Sequence, residues 1–137
     1  MHYRVIALAP LVSLLCVLGC RSATSDSREL LRDTVCFRGF GYSGSLTPMM
    51  KMVMMYKSQT DAELVFAEMA WSQIPETALY GLAGLKVIKS DKLNQASAVI
   101  LKKFKGSVVS YGPGGCIAYD QTVDYIVNDI QGLHIVE

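Results

Sequence analysis

Between Arg4 and Cys20 the chain runs through Val5 to Gly19 without one charged side chain, and this leader decides how much of the sequence is left to build a fold. A positive charge, an apolar stretch of about 15 residues and a small residue before a cysteine follow the order of a secretory signal. A helix that crosses a bilayer needs roughly 20 apolar residues, so the stretch reads as a removable leader rather than a permanent span. The sequence then divides into a leader over 1–19, a polar tether over 20–33 and a single folded domain over 34–137. About 118 residues remain after the leader, enough for one domain with a modest core.

The last four leader positions, Val17-Leu18-Gly19-Cys20, resemble the lipobox of bacterial lipoproteins, with an aliphatic residue first, a glycine third and the cysteine that is modified. Leu18 departs from the small residue commoner at the second position. The resemblance implies cleavage before Cys20 and lipidation of its thiol, with a further palmitate-like chain on its amine. Each buried methylene contributes about 0.8 kcal/mol, so two or three chains hold a protein on a membrane where one does not. In such lipoproteins an Asp after the cysteine favours the inner membrane. Arg21 stands there instead, which implies the outer membrane of the cell envelope where the cell has one, and the plasma membrane otherwise. Residues 21–33, RSATSDSRELLRD, are polar and Ser-rich at first, as a tether between lipid and domain requires.

Four cysteines are present. Cys16 leaves with the leader and Cys20 carries lipid, so Cys36 and Cys116 remain. In an oxidising compartment they can pair, closing a loop worth roughly 4 kcal/mol in the chain-entropy model, or stay as two buried thiols. With no Cys-x-x-Cys and only His134 left after processing, a metal site from these residues is not expected. Losing Arg4 brings the 13 Lys and Arg into balance with the 12 Asp and Glu. A near-neutral chain argues against nucleic acid as partner.

From Thr47 onward the pattern is one of short helices. Thr47-Pro48 combines an N-cap with proline at the first helical position, opening a segment that runs to about Lys57. Ser58 or Thr60 can cap the next, whose Ala62, Val65, Phe66 and Met69 share a face. Pro75-Glu76 starts a third with Ala78, Leu82 and Leu85 on a stripe. Gly81 and Gly84 interrupt it at a cost of about 1 kcal/mol each, which points to a close crossing by another helix. Ser90-Asp91 opens a fourth, with Leu93, Ala96, Ile100 and Phe104 inward and Lys102, Lys103 and Lys105 at its negative end. Asp120 begins the last, where Val123, Ile126, Val127 and Ile130 repeat before Gly132 stops it. Only Thr34–Tyr42 and Val108–Tyr111 read as extended. The expected fold class is mainly all-α: about five short helices in antiparallel hairpins, forming either a small bundle or an array loosely similar to HEAT-like repeats.

Several motifs invite a chemical reading. Gly39-Phe40-Gly41-Tyr42-Ser43-Gly44 spells G-x-G-x-x-G, but a dinucleotide site needs a βαβ unit, and a Gly-rich turn with Phe40 and Tyr42 packed inward accounts for it better. Gly41-Tyr42-Ser43-Gly44-Ser45 lacks the last glycine of a hydrolase elbow. Met49, Met50, Met52, Met54 and Met55 offer soft thioethers suited to Cu(I) or Ag(I), yet helical spacing spreads them over more than one face. They serve equally as core filler or as an adaptable binding surface. The loop Ser110-Tyr111-Gly112-Pro113-Gly114-Gly115-Cys116 can bind, or can simply turn the chain so that Cys116 reaches Cys36. With Gly115-Cys116-Ile117 and the Gly-aromatic start, the domain also resembles small exported bacterial proteins. Glu63, Glu68, Asp120 and Asp124 fall at helix starts or on wet faces, so no acid–base pair emerges. The expectation is a non-enzymatic, lipid-anchored envelope protein that binds a protein or envelope component, or scaffolds, without a cofactor. A copper- or silver-handling protein is the alternative and a hydrolase a distant one.

Overall fold

The computed structural model describes residues 34–38, 45–113 and 117–132. Among them the chain is mostly helical, with five helices and a small three-stranded sheet. In order these are β1 (Thr34–Val35), α1 (Pro48–Tyr56), α2 (Ala62–Ala70), α3 (Pro75–Val87), α4 (Leu93–Lys103), β2 (Val108–Tyr111), β3 (Tyr119–Thr122) and α5 (Val123–Gly132). No helix among the described residues is long and apolar enough to cross a membrane. The leader with Cys16 and Cys20, the tether, Gly39–Gly44, Gly114–Cys116 and His134 lie outside the described residues.

The centre is α3, which packs against all four other helices and against β1. Every side chain from Ala78 to Leu85 is buried, the signature of a helix apolar all round rather than on one stripe. Gly81 and Gly84 allow that burial. A Cβ on Gly81 would overlap the backbone of Met69 and Ala70, and one on Gly84 would strike the Phe66 ring. The close crossing read from the two glycines is therefore α2 lying on α3.

Local chemistry sets most helix ends. The Thr47 hydroxyl accepts the Met50 N–H at 3.2 Å, with Pro48 at the first helical position. α3 closes through Lys89 N–H to Lys86 C=O at 3.1 Å and Ser90 N–H to Leu85 C=O at 2.9 Å. These two bonds form a Schellman turn whose left-handed position is filled by Lys89 at φ 55° instead of glycine. Ser90 accepts the Lys92 N–H at 3.1 Å in the turn before α4, and the helix itself starts behind Lys92 without a side-chain cap bond. Lys103 reaches back to donate to the carbonyls of Trp71 and Ser72 just past α2. The cap expected from Ser58 or Thr60 is absent: α2 starts behind Asp61, without a side-chain cap bond.

The sheet corrects the expectation that Asp120 begins the last helix. Tyr119–Thr122 is instead a strand, antiparallel to β2, with Asp120 opposite Ser110 and Tyr119 opposite Tyr111. Thr122 is the cap, its hydroxyl accepting the Tyr125 N–H at 3.3 Å. β1 is shorter than the extended stretch expected over Thr34–Tyr42 and pairs with β2 in parallel, Thr34 opposite Ser110 and Val35 opposite Tyr111. Val35, Val109 and Tyr111 face inward, while Val108 is exposed and the hydroxyls of Thr34 and Ser110 meet at 3.0 Å on the outer face. The pairing of β1 with β2 carries the chain through four helices between two parallel neighbours, a connection that a mainly helical hairpin reading does not contain.

Candidate functional site

Parallel pairing has a direct consequence for where the chain goes after each strand. β1 and β2 end on the same side, so the segment beginning at Cys36 and the segment beginning at Gly112 leave the sheet together. Gly112 N–H donates to Val35 C=O at 2.9 Å, holding the two departures side by side. Tyr119, where β3 starts, stands opposite Tyr111 at this same rim.

Five aromatic rings line the rim. Phe37 packs edge-on to Tyr80 of α3 at 5.5 Å and tilts against Tyr111 at 6.1 Å. Tyr111 in turn meets Tyr119 and Tyr125, each with its centroid 6.4 Å away and edge-to-face. Such pairs lie in the range where aromatic quadrupoles attract. The chain of rings runs from fully buried to open: Tyr111 is buried, whereas Tyr119 is 39% and Tyr125 48% exposed.

Polar atoms at the buried end are satisfied within the fold. The Tyr80 hydroxyl accepts the Cys36 N–H at 3.1 Å and lies 3.2 Å from the Thr47 hydroxyl, tying β1 to the start of α1. Burial pushes the Tyr80 phenol above its ordinary range. Tyr111 donates to the Asp129 carboxylate of α5. Burial first, then the neighbouring carboxylate, raises its phenol so that it stays protonated and donates. Cys36 is buried, its Sγ donating to Arg38 C=O at 2.8 Å, and burial raises its thiol. Cys116, its expected partner, lies outside the described residues.

The methionine run does not converge. Met50 is in the core beside Val53, Met49 and Met54 pack against that core, Met52 is half-buried and Met55 is 75% exposed. The nine-residue helix sends the five thioethers around its circumference, as the 3.6-residue period requires. Among the described residues there is no group of three or more His, Cys, Asp or Glu placed to hold a metal ion. Glu63 joins the Ser90 hydroxyl and Lys92 at the surface, and the Ser90 bond holds its carboxyl below the usual range.

Sequence reasoning missed the tyrosine rim. The available signal was that three of the seven tyrosines, Tyr111, Tyr119 and Tyr125, fall within one short stretch. What could not be read was the strand pairing that sets the first two opposite each other. No known protein family, curated protein or solved structure with which the chain was compared matches it.

Proposed function

We propose that this chain is a lipid-anchored protein of the bacterial cell envelope whose folded domain binds a partner at the rim where β1 and β2 end, without chemical turnover. The single observation that carries binding is the shared departure of the chain at Cys36 and at Gly112, each leading in sequence toward a glycine-rich stretch, beside an exposed tyrosine pair. Loops presented together by a rigid scaffold are where recognition concentrates. The anchor rests on the Val17–Cys20 signature and the apolar leader before it. Burial of α3 against every other helix favours a bundle around a central helix over a HEAT-like array, in which each unit touches only its neighbours. The Val35–Gly112 bond holds Cys36 beside the start of the segment whose sequence leads to Cys116, but the Cys36 thiol is free and donates to Arg38 C=O, so a Cys36–Cys116 disulfide requires that hydrogen bond to be given up.

Two measurements test this. Radiolabelled palmitate should enter the protein, and Cys20→Ser should release it from the membrane fraction; failure of both removes the anchor. A photo-cross-linking residue at Ile117, which is 69% exposed beside the rim, should capture a defined partner in the native envelope, and one at exposed Leu64 on α2 should not. Equal capture at both positions, or none at Ile117, removes the binding site.

A further inference from the structure

β3 lies at the edge of the sheet, and among the described residues nothing pairs with its outer side. Three of its four residues are exposed and Gln121 is half-buried. Soluble proteins usually blunt such an edge with lysine, proline or a bulge, because an unpaired row of N–H and C=O groups templates another strand. Tyr119-Asp120-Gln121-Thr122 carries no lysine or proline, and its pairing with β2 runs without a bulge; Asp120 is its single charge.

Charge selects what can add there. From Gly112 to Gly132 the chain has Asp120, Asp124 and Asp129 and no Lys or Arg. The cation that α3 supplies to α5, Lys86, is bound to the Gln131 carbonyl at the far end of that helix. A second copy is a poorer occupant, because its β3 edge brings Asp120 and no lysine or arginine: paired antiparallel, Asp120 meets Gln121 or another Asp120 and finds no opposite charge in the strand. On the inward face of the strand Tyr119 and, from α5, Tyr125 offer exposed rings. Asp120 stands on the other face.

Resting on the binding reading above, we propose that the free edge of β3 docks an extended, positively charged peptide segment of a partner protein. The segment adds as a fourth strand through main-chain hydrogen bonds. Its alternate side chains lie against Tyr119 and Tyr125, where arginine or an apolar residue packs, and its remaining lysines or arginines face Asp120.

The test uses the full-length chain in zwitterionic detergent and two synthetic peptides of about 10 residues, one alternating Lys with Val and Thr, the other with Glu in place of each Lys. The lysine peptide should shift the backbone amides of 119–122 and bind at least about 10-fold more tightly than the glutamate peptide, with added salt weakening it. Asp120→Lys, at an exposed position, should keep the native amide spectrum and shift the preference toward the glutamate peptide. Equal affinity for both peptides overturns the proposal, as does binding whose shifts fall away from β3 and Tyr125. Capture of a partner at Ile117 together with no binding of the lysine peptide would defeat this inference while leaving the binding site itself standing.

Discussion

Where α2 crosses α3, two glycines clear a path for a backbone and an aromatic ring; where β3 runs into α5, two tyrosines stand out from the surface instead. The first region is closed by shape. Gly81 and Gly84 admit Met69, Ala70 and Phe66 at distances no larger residue permits. The second is left open, with its inner ring Tyr111 held by Asp129 and its outer rings half in water. Close packing that leaves nothing exposed stabilises but cannot recognise, whereas rings fixed at one edge and wet at the other keep contact area for a partner. The close packing lies where α2 crosses α3, and the exposed rings lie on β3 and α5.

The contrast can be broken most severely from the closed side. Phe66→Ala empties a fully buried ring site against Gly84 and should cost about 4 kcal/mol in urea unfolding. Gly81→Ala should cost about 3 kcal/mol by the same measurement, because overlap with the α2 backbone outweighs the gain in helix propensity. A neutral or stabilising result there would mean that α2 does not approach α3 so closely.

At the junction of the two regions, Tyr111→Phe should cost about 1–2 kcal/mol, since it leaves the Asp129 carboxylate without its buried donor. The same phenol sets a pH dependence. Its native value is raised while an unfolded tyrosine ionises near its ordinary value of about 10, so the unfolded chain loses the proton first. Stability is then fully present below about pH 10 and falls as pH rises beyond it, and Tyr111→Phe should make that fall shallower than in the parent protein. An equal slope in both would locate the alkaline loss elsewhere.

Smaller effects sharpen the picture. Lys89→Gly should raise stability by about 0.5–1 kcal/mol, relieving a left-handed residue in the turn that ends α3. Tyr125→Ala, at the open rim, should change stability by less than about 0.5 kcal/mol while weakening capture at Ile117. A large loss of stability there would place Tyr125 in the core rather than at a surface. Under non-reducing conditions the mass of the purified protein should be about 2 Da below that of its reduced form if Cys36 and Cys116 are joined, and equal to it if they are not.

Helices were legible because their determinants are close together in the chain. Thr47-Pro48, Pro75 and the spacing of Val123, Ile126, Val127 and Ile130 act within one or two turns, and each marks a real element. The misplaced start at Asp120 has the opposite origin. Tyr119–Thr122 has no strong local preference, and its state is decided by β2, to which it pairs across the loop. The cap missing from α2 shows the same hierarchy on a small scale: packing of Ala62 and Phe66 into the core holds that helix without a side-chain bond. The rim was illegible because it joins Phe37, just past β1, with Tyr80, Tyr111 and Tyr125 from three separate elements.

Periodicity and capping, which act over a few residues, settled from the sequence alone the five helices found near these positions among the described residues and that α3 needs its glycines for close contact. Only the tertiary structure decided that Thr34–Val35 lies parallel to Val108–Tyr111, that a third strand follows, and that the chain therefore leaves the sheet at Cys36 and at Gly112 from one rim. Strand pairing couples residues 76 positions apart, such as Thr34 and Ser110, and no local pattern encodes a partner at that distance.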